Sequence, residues 1–205
     1  MTSMDLFGRI SSFVKTRLSE TGKERAASPV GPSYVFEHSL RVAFWCWRLA
    51  LETHADVSTC AAAGLLHAVS HFEPDPRSTE TARKFMEKEG FKKEFMDIVA
   101  YAIENHARQG KSETLESRIL EDADKIDRFG YLRLMLFVKT LPESFAHLEE
   151  SVHSLLAEVE KLEKGEEGVI WTSMAKARMQ TQVGLYENFL RGLLEEIDNT
   201  RTTMG

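Results

Sequence analysis

Apolar residues recur at helical spacing along almost the whole chain, with no clear strand-like alternation and no Asn-Gly hairpin signal. The pattern predicts a first amphipathic helix from Asp5 to about Leu18, broken by the Gly- and Pro-bearing stretch SETGKERAASPVGPS. A second helix, from near Ser33 to His54, carries Tyr34, Phe36, Phe44, Trp45 and Trp47, whose run FWCW reads as core packing. Asp56 reads as the N-cap of a third helix that holds GLLHAVSHF, Gly64 to Phe72, and must end before Pro74 and Pro76. Ser78 opens a fourth helix with Gly90 at its C-terminal end, and a fifth runs from about Lys92 to His106. Thr114 caps a sixth, TLESRILEDADKID, which bends at Gly130 into YLRLMLFVKTL. Two longer helices, about Glu143 to Lys164 and Thr172 to Ile197, flank GEEGV, and NTRTTMG reads as a disordered tail. The expectation is an all-α, single-domain bundle of about eight helices spanning residues 1–205.

Composition narrows the function classes. A hydrophobic share of 42% with 28% charged residues suits a folded soluble domain rather than a disordered chain. The net charge of -6 argues against a large nucleic-acid surface, yet leaves room for one local basic pocket. Cys46 and Cys60 sit in apolar helical stretches with no CxxC spacing, and read as buried free thiols in a reducing compartment. No signal peptide opens the chain and no apolar run approaches the ~20 residues of a membrane span, so a cytoplasmic protein is expected.

Chemistry concentrates in four segments. His38 lies in EHSLRVA, His67 and His71 in GLLHAVSH, His106 in IENHA, and Asp122, Asp124 and Asp127 in LEDADKID. Imidazole and carboxylate are donors for Mn, Fe, Zn, Ni or Co, and helices of a bundle can aim them at one interior point. Taken singly, each of these residues reads as an ordinary core or surface group. The remaining histidines have plainer readings. His54 ends a helix, while His147 and His153 lie among Glu149, Glu150 and Glu158 on a surface helix, whose run EVEKLEKGEE reads as a solvated face.

Taken together and in order, HSLRVA, AAGLLHA and ILEDADKID resemble the motif of the HD-domain metal-dependent phosphohydrolases. NHARQG is similar to the additional histidine of some members. The likeness runs from about Tyr34 to Arg133, and the helices at about 143–197 match only in being helices. The resemblance implies an all-α fold, a divalent transition metal (Mn, Fe, Ni, Co or Zn), and hydrolysis of a nucleotide or other small phosphate ester. Carried over by position, His38 and His67 resemble the first two metal ligands and Asp124 the last, with His106 as a further donor. Asp122 is the alternative to Asp124, its plain reading a solvated or capping carboxylate, and Asp127 reads as a network or helix-end charge. Arg41 and Lys125 are candidate phosphate binders, with solvated side chains as the plain reading.

The departure is Ala68, which stands where the family places the aspartate of its His-Asp pair. A methyl group neither ligates a cation nor orients a water. His71, one helical turn beyond His67, is either a proton donor to a leaving group or a polar residue bonded to the loop of Glu73. The resemblance therefore implies a phosphohydrolase weakened or silenced at Ala68. The alternative is an inactive HD-domain protein that binds a nucleotide, metal or protein partner. A long amphipathic final helix could support a homodimer.

Overall fold

The computed structural model describes residues 3–22, 32–70, 76–106, 112–139, 145–166 and 168–204, and all regular structure among them is α-helical. The helices are α1 (Ser3–Gly22), α2 (Pro32–Thr53), α3 (Val57–Leu66), α4 (Pro76–Lys88), α5 (Lys93–Asn105), α6 (Leu115–Arg128), α7 (Tyr131–Lys139), α8 (Phe145–Glu163) and α9 (Ser173–Met204). Two compact units result. One comprises Met1–Asp127 with Ile170–Ala175, and the other Arg128–Val169 with Lys176–Gly205.

In the first unit, local chemistry sets the helix ends. His54 takes a left-handed φ of 58° and Ala55 N donates back to Ala50 O at 3.0 Å, which terminates α2. Asp56 then accepts from Thr59 N at 2.7 Å and starts α3. Gly90, at φ 73°, closes the helix α4 in the same manner as His54 closes α2, with Phe91 N bonded to Met86 O at 3.0 Å. Thr114 caps α6 through Ser117 N at 3.2 Å, as its sequence position predicts.

Several expectations need correction. α4 begins at Pro76, where a fixed φ and a missing N–H suit the first helical turn. Ser78 is instead buried and accepts from Ser70 N at 3.2 Å, tying α4 to the turn after α3. The aromatic run of α2 is not all core: Cys46 is fully buried, but Phe44 and Trp47 are 49% and 42% exposed. Val42, Cys46 and Leu49 form the buried stripe of α2, and Phe44, Trp47 and Leu51 fall on the opposite face. Cys60 is also a buried free thiol, as read from the sequence.

The second unit holds α7, α8 and most of α9. Phe129 and Gly130 separate α6 from α7, and Tyr186 donates to Gly130 O at 2.9 Å while its ring lies edge-on to Phe129. Val152, Leu155, Val159 and Leu190 supply its buried apolar stripes. Residues 199–204 of the tail NTRTTMG are helical rather than loose, because α9 runs to Met204. Thr200, Thr202 and Thr203 each donate to the carbonyl four residues back, and Arg201 pairs with Glu149 at 2.6 Å. His147 and His153 are exposed, as expected. No helix among the described residues is long and apolar enough to cross a membrane.

Candidate metal centre

The centre begins with a glycine. A Cβ built on Gly64 would lie 2.7 Å from Ala43 Cα and 2.9 Å from Ala43 N, so only glycine lets α3 approach α2 this closely. His38 stands five residues before Ala43, and His67 three residues after Gly64. The close crossing brings their Nε2 atoms to 3.0 Å. Helix α6 adds Asp124, whose Oδ1 lies 3.3 Å from His38 Nε2 and 3.7 Å from His67 Nε2. One donor atom from each of the three lies within 4.8 Å of the others. Both imidazoles are 4% exposed and the Asp124 side chain 31%, so the centre meets solvent on the aspartate side.

Each imidazole is oriented from behind. His67 is the C-cap of α3 and bonds through Nδ1 to Gly64 O at 2.8 Å. His106 is the C-cap of α5 and bonds through Nδ1 to Ile103 O at 2.7 Å, the same three-residue step back. Its ring lies edge-on to His67, with centroids 5.5 Å apart. His38 Nδ1 donates to Asp127 Oδ2 at 2.8 Å. Arg41 grips the same carboxylate with two bonds of 2.6 and 3.1 Å while lying 5.6 Å from the Tyr34 ring centroid. A ring N–H fixed on Nδ1 leaves Nε2 to face the other donors, which is how metal-binding histidines are usually held.

The electrostatics of the ion-free protein follow from this packing. Burial opposes a charge on His38, but the hydrogen bonds and negative charges of Asp124 and Asp127 outweigh it and hold its pKa up at about 9. Burial and the neighbouring His38 push His67 down to about 3, so it stays neutral. Burial would raise the Asp124 pKa, yet His38, His67 and His106 hold it well below the ordinary carboxylate range. A cationic His38 thus faces a neutral His67 and an ionised Asp124. The donor set of two imidazole nitrogens and a carboxylate oxygen fits a divalent transition cation, whose binding would displace the His38 proton.

The structure brings His38, His67 and Asp124 together and sets His106 beside them. Asp122, the alternative ligand, is elsewhere: it is fully buried and accepts from Trp171 N at 2.9 Å, Thr172 N at 2.8 Å and Thr172 Oγ1 at 2.8 Å. Its capping reading holds, and burial excludes the solvated one. Asp127 is the network charge that its position suggested. Lys125 bonds to buried Glu121 at 2.7 Å, so neither it nor Arg41 is a bare solvated cation. Ala68 is 1% exposed and presents only its methyl. The helix predicted to carry His67 ends at Leu66, with His67 as its C-cap; His71 and Glu73 lie outside the described residues. Two contributors were not singled out in the sequence. Gly64 is signalled only by the small-residue run CAAAG, and Trp171, which donates to Glu121 at 2.9 Å, by nothing local.

Fold and site together define an all-α protein with a buried His-His-Asp centre at the convergence of three helices. Residues 35–128, the segment that carries His38, His67, His106 and Asp124, match the family model of the HD domain. Solved structures share its fold. A predicted HD superfamily hydrolase from an uncultured Thermotogales bacterium is 19% identical, with 96% of this chain and 99% of that one covered and a TM-score of 0.62. The Lin1889 protein of Listeria innocua is 16% identical, with 97% and 98% covered and a TM-score of 0.66. Bacillus subtilis YpgQ in complex with ADP is 16% identical, with 96% and 97% covered and a TM-score of 0.65.

Proposed function

We propose that this protein is a metal-dependent phosphohydrolase of the HD type, acting on a nucleotide or other small phosphate ester with activity lowered by Ala68. The observation that carries the reading is the convergence of His38, His67 and Asp124, with donor atoms within 4.8 Å of one another. These three residues would hold a divalent cation, with His106 adjacent, and the cation would supply Lewis acidity and a more acidic bound water. The chain's own residues do the rest. Asp127 and the Gly64 carbonyl fix the two imidazoles, and Asp124, the most exposed of the three, marks the side from which a phosphate ester enters. Arg41 is assigned to phosphate recognition, and His71 or Lys125 to assisting the leaving group or holding the phosphate. The ADP held by the Bacillus subtilis neighbour supports a nucleotide among the substrate classes.

Ala68 favours one other reading, in which the centre binds a nucleotide, metal or protein without turning substrate over. Ala68→Asp separates the two. The variant and the parent are loaded with Mn, Co or Ni and assayed on a panel of nucleotides and phosphate esters. Hydrolysis by the parent, or hydrolysis gained with tighter metal binding in the variant, supports the enzymatic reading. Metal bound by both proteins with no turnover by either supports the binding reading, and no metal bound by either rejects the centre.

A further inference from the structure

We infer a second binding site, for a multiply phosphorylated small molecule, in the cleft that α1 and α4 line. The cleft encloses about 1010 Å³, and none of its lining residues is a donor of the metal centre. Its positive balance is what sets it apart. Arg9, Arg17, Lys84 and Lys88 line it against the two carboxylates of Asp5 and Glu89, in a chain whose net charge is -6. A cationic recess in an acidic surface concentrates small anions locally.

The walls divide into a fixed part and an exchangeable part. Phe13 and Phe85 stack face to face across the two helices, with centroids 4.0 Å apart and planes 9° from parallel. Arg9 bonds to the Glu89 carboxylate and backbone carbonyl and lies over the Phe91 ring, so it braces the cleft. Among the described residues Lys84 pairs with Glu80, one turn away, with both side chains more than half exposed. Arg17 meets Glu20 at 3.5 Å, again at the surface. Such exposed pairs are weak and readily exchanged for a multivalent anion, whose charge-assisted bonds to cations are stronger. The hydroxyls of Ser12, Thr16 and Thr81 supply neutral donors along the same walls.

Spacing selects the ligand class. Thr81 and Lys88 are seven residues apart on one helix, a rise of roughly 10 Å, and Arg9 and Thr16 repeat that interval on the other. A single phosphate reaches one turn of such a wall, whereas an oligophosphate chain or a nucleotide carrying one spans it. A long nucleic acid is disfavoured, because four cations are too few to hold it against the overall negative charge.

The test titrates the full chain, stripped of metal and kept in chelator, with inorganic triphosphate and with orthophosphate by calorimetry at low salt. Chelation silences the metal centre, so the outcome is independent of the phosphohydrolase reading. The expected result is one saturable triphosphate site, at least tenfold tighter than orthophosphate, weakening as salt is added. The double variant Lys84→Glu, Lys88→Glu is expected to weaken it at least tenfold, and the neutral pair Lys84→Gln, Lys88→Gln less steeply. A control with the same charge change at exposed positions outside the cleft, Lys161→Glu with Lys176→Glu, should alter it less than twofold. Absence of saturable binding, survival of binding in the cleft variants, or an equal loss in the control would each overturn the assignment.

Discussion

Replacing Gly64 by alanine tests whether helix approach positions the centre. The added methyl meets Ala43 Cα at 2.7 Å, a backbone atom that cannot rotate away, so α3 must retreat by about 0.7 Å to reach the 3.4 Å of an ordinary contact. Alanine favours a helix interior over glycine by up to about 1 kcal/mol. Overpacking a dense core costs about 1–3 kcal/mol, and the neighbours here, Ala43, Cys46 and Leu65, are at most 1% exposed. The clash therefore wins, for a net loss of about 0.5–2 kcal/mol in the urea unfolding of the metal-free protein. Metal binding suffers more, because a retreat of that size exceeds the ~0.2 Å tolerance of metal–ligand distances. A competition titration with Co or Mn should show at least a tenfold weaker affinity. Gly184→Ala is the control, since a Cβ there meets nothing within 4 Å, and it should leave metal affinity unchanged and stability equal or higher. If Gly64→Ala keeps both the stability and the metal affinity of the parent, the close crossing of α2 and α3 does not hold the two imidazoles together.

The ion-free protein carries a pH signature. His38 is raised to about 9 from an ordinary 6.5, so its contribution is fully present below pH 6.5 and is lost as pH rises through about 9; His67, lowered to about 3, makes the fold lose stability as pH falls below 6.5. The urea midpoint should therefore decline on both sides of pH 6.5, and Asp127→Asn should flatten the alkaline limb and weaken metal affinity ~10- to 100-fold, whereas an alkaline limb unchanged in that variant would show that Asp127 does not hold the His38 proton. Asp122→Ala strips three donors of a fully buried acceptor and should cost at least about 3 kcal/mol in chemical unfolding, and a loss below 1 kcal/mol would mean that Trp171 and Thr172 find other partners.

How much of this was readable in advance depended on whether the signal was local. Asp56, Thr114 and Gly90 act within one turn of themselves, so their capping roles follow from residue type and position. His38, His67 and Asp124 were legible for another reason: their order and apolar neighbours match a family motif, and periodicity alone would have left them as core residues. What stayed hidden is tertiary. Whether Phe44 or Cys46 faces inward depends on which side of α2 receives α3, and both residues are apolar. Ser78 reads as the opening of a helix in the sequence because its partner, Ser70 N, lies across a Pro-bearing connection. Asp122 and Asp124 are separated by one residue and chemically identical. Only the return of Trp171 and Thr172 to α6, some 50 residues later, assigns one to backbone capping and the other to the centre.

That division also bears on Ala68. A cation bound by two neutral imidazoles and one carboxylate would keep a net positive charge in a pocket whose histidines are 4% exposed, and low-dielectric surroundings make such a residual charge costly. Among the described residues, the neighbouring carboxylates of α6 are already committed: Asp127 to His38 and Arg41, Asp122 to the residues that start α9. A further negative charge is then what a ligand can add, and under the proposed function an anionic phosphate ester supplies it. The proposed function therefore predicts that metal and phosphate bind cooperatively, each weakly without the other, and that Ala68→Asp loosens that coupling by providing the charge from within.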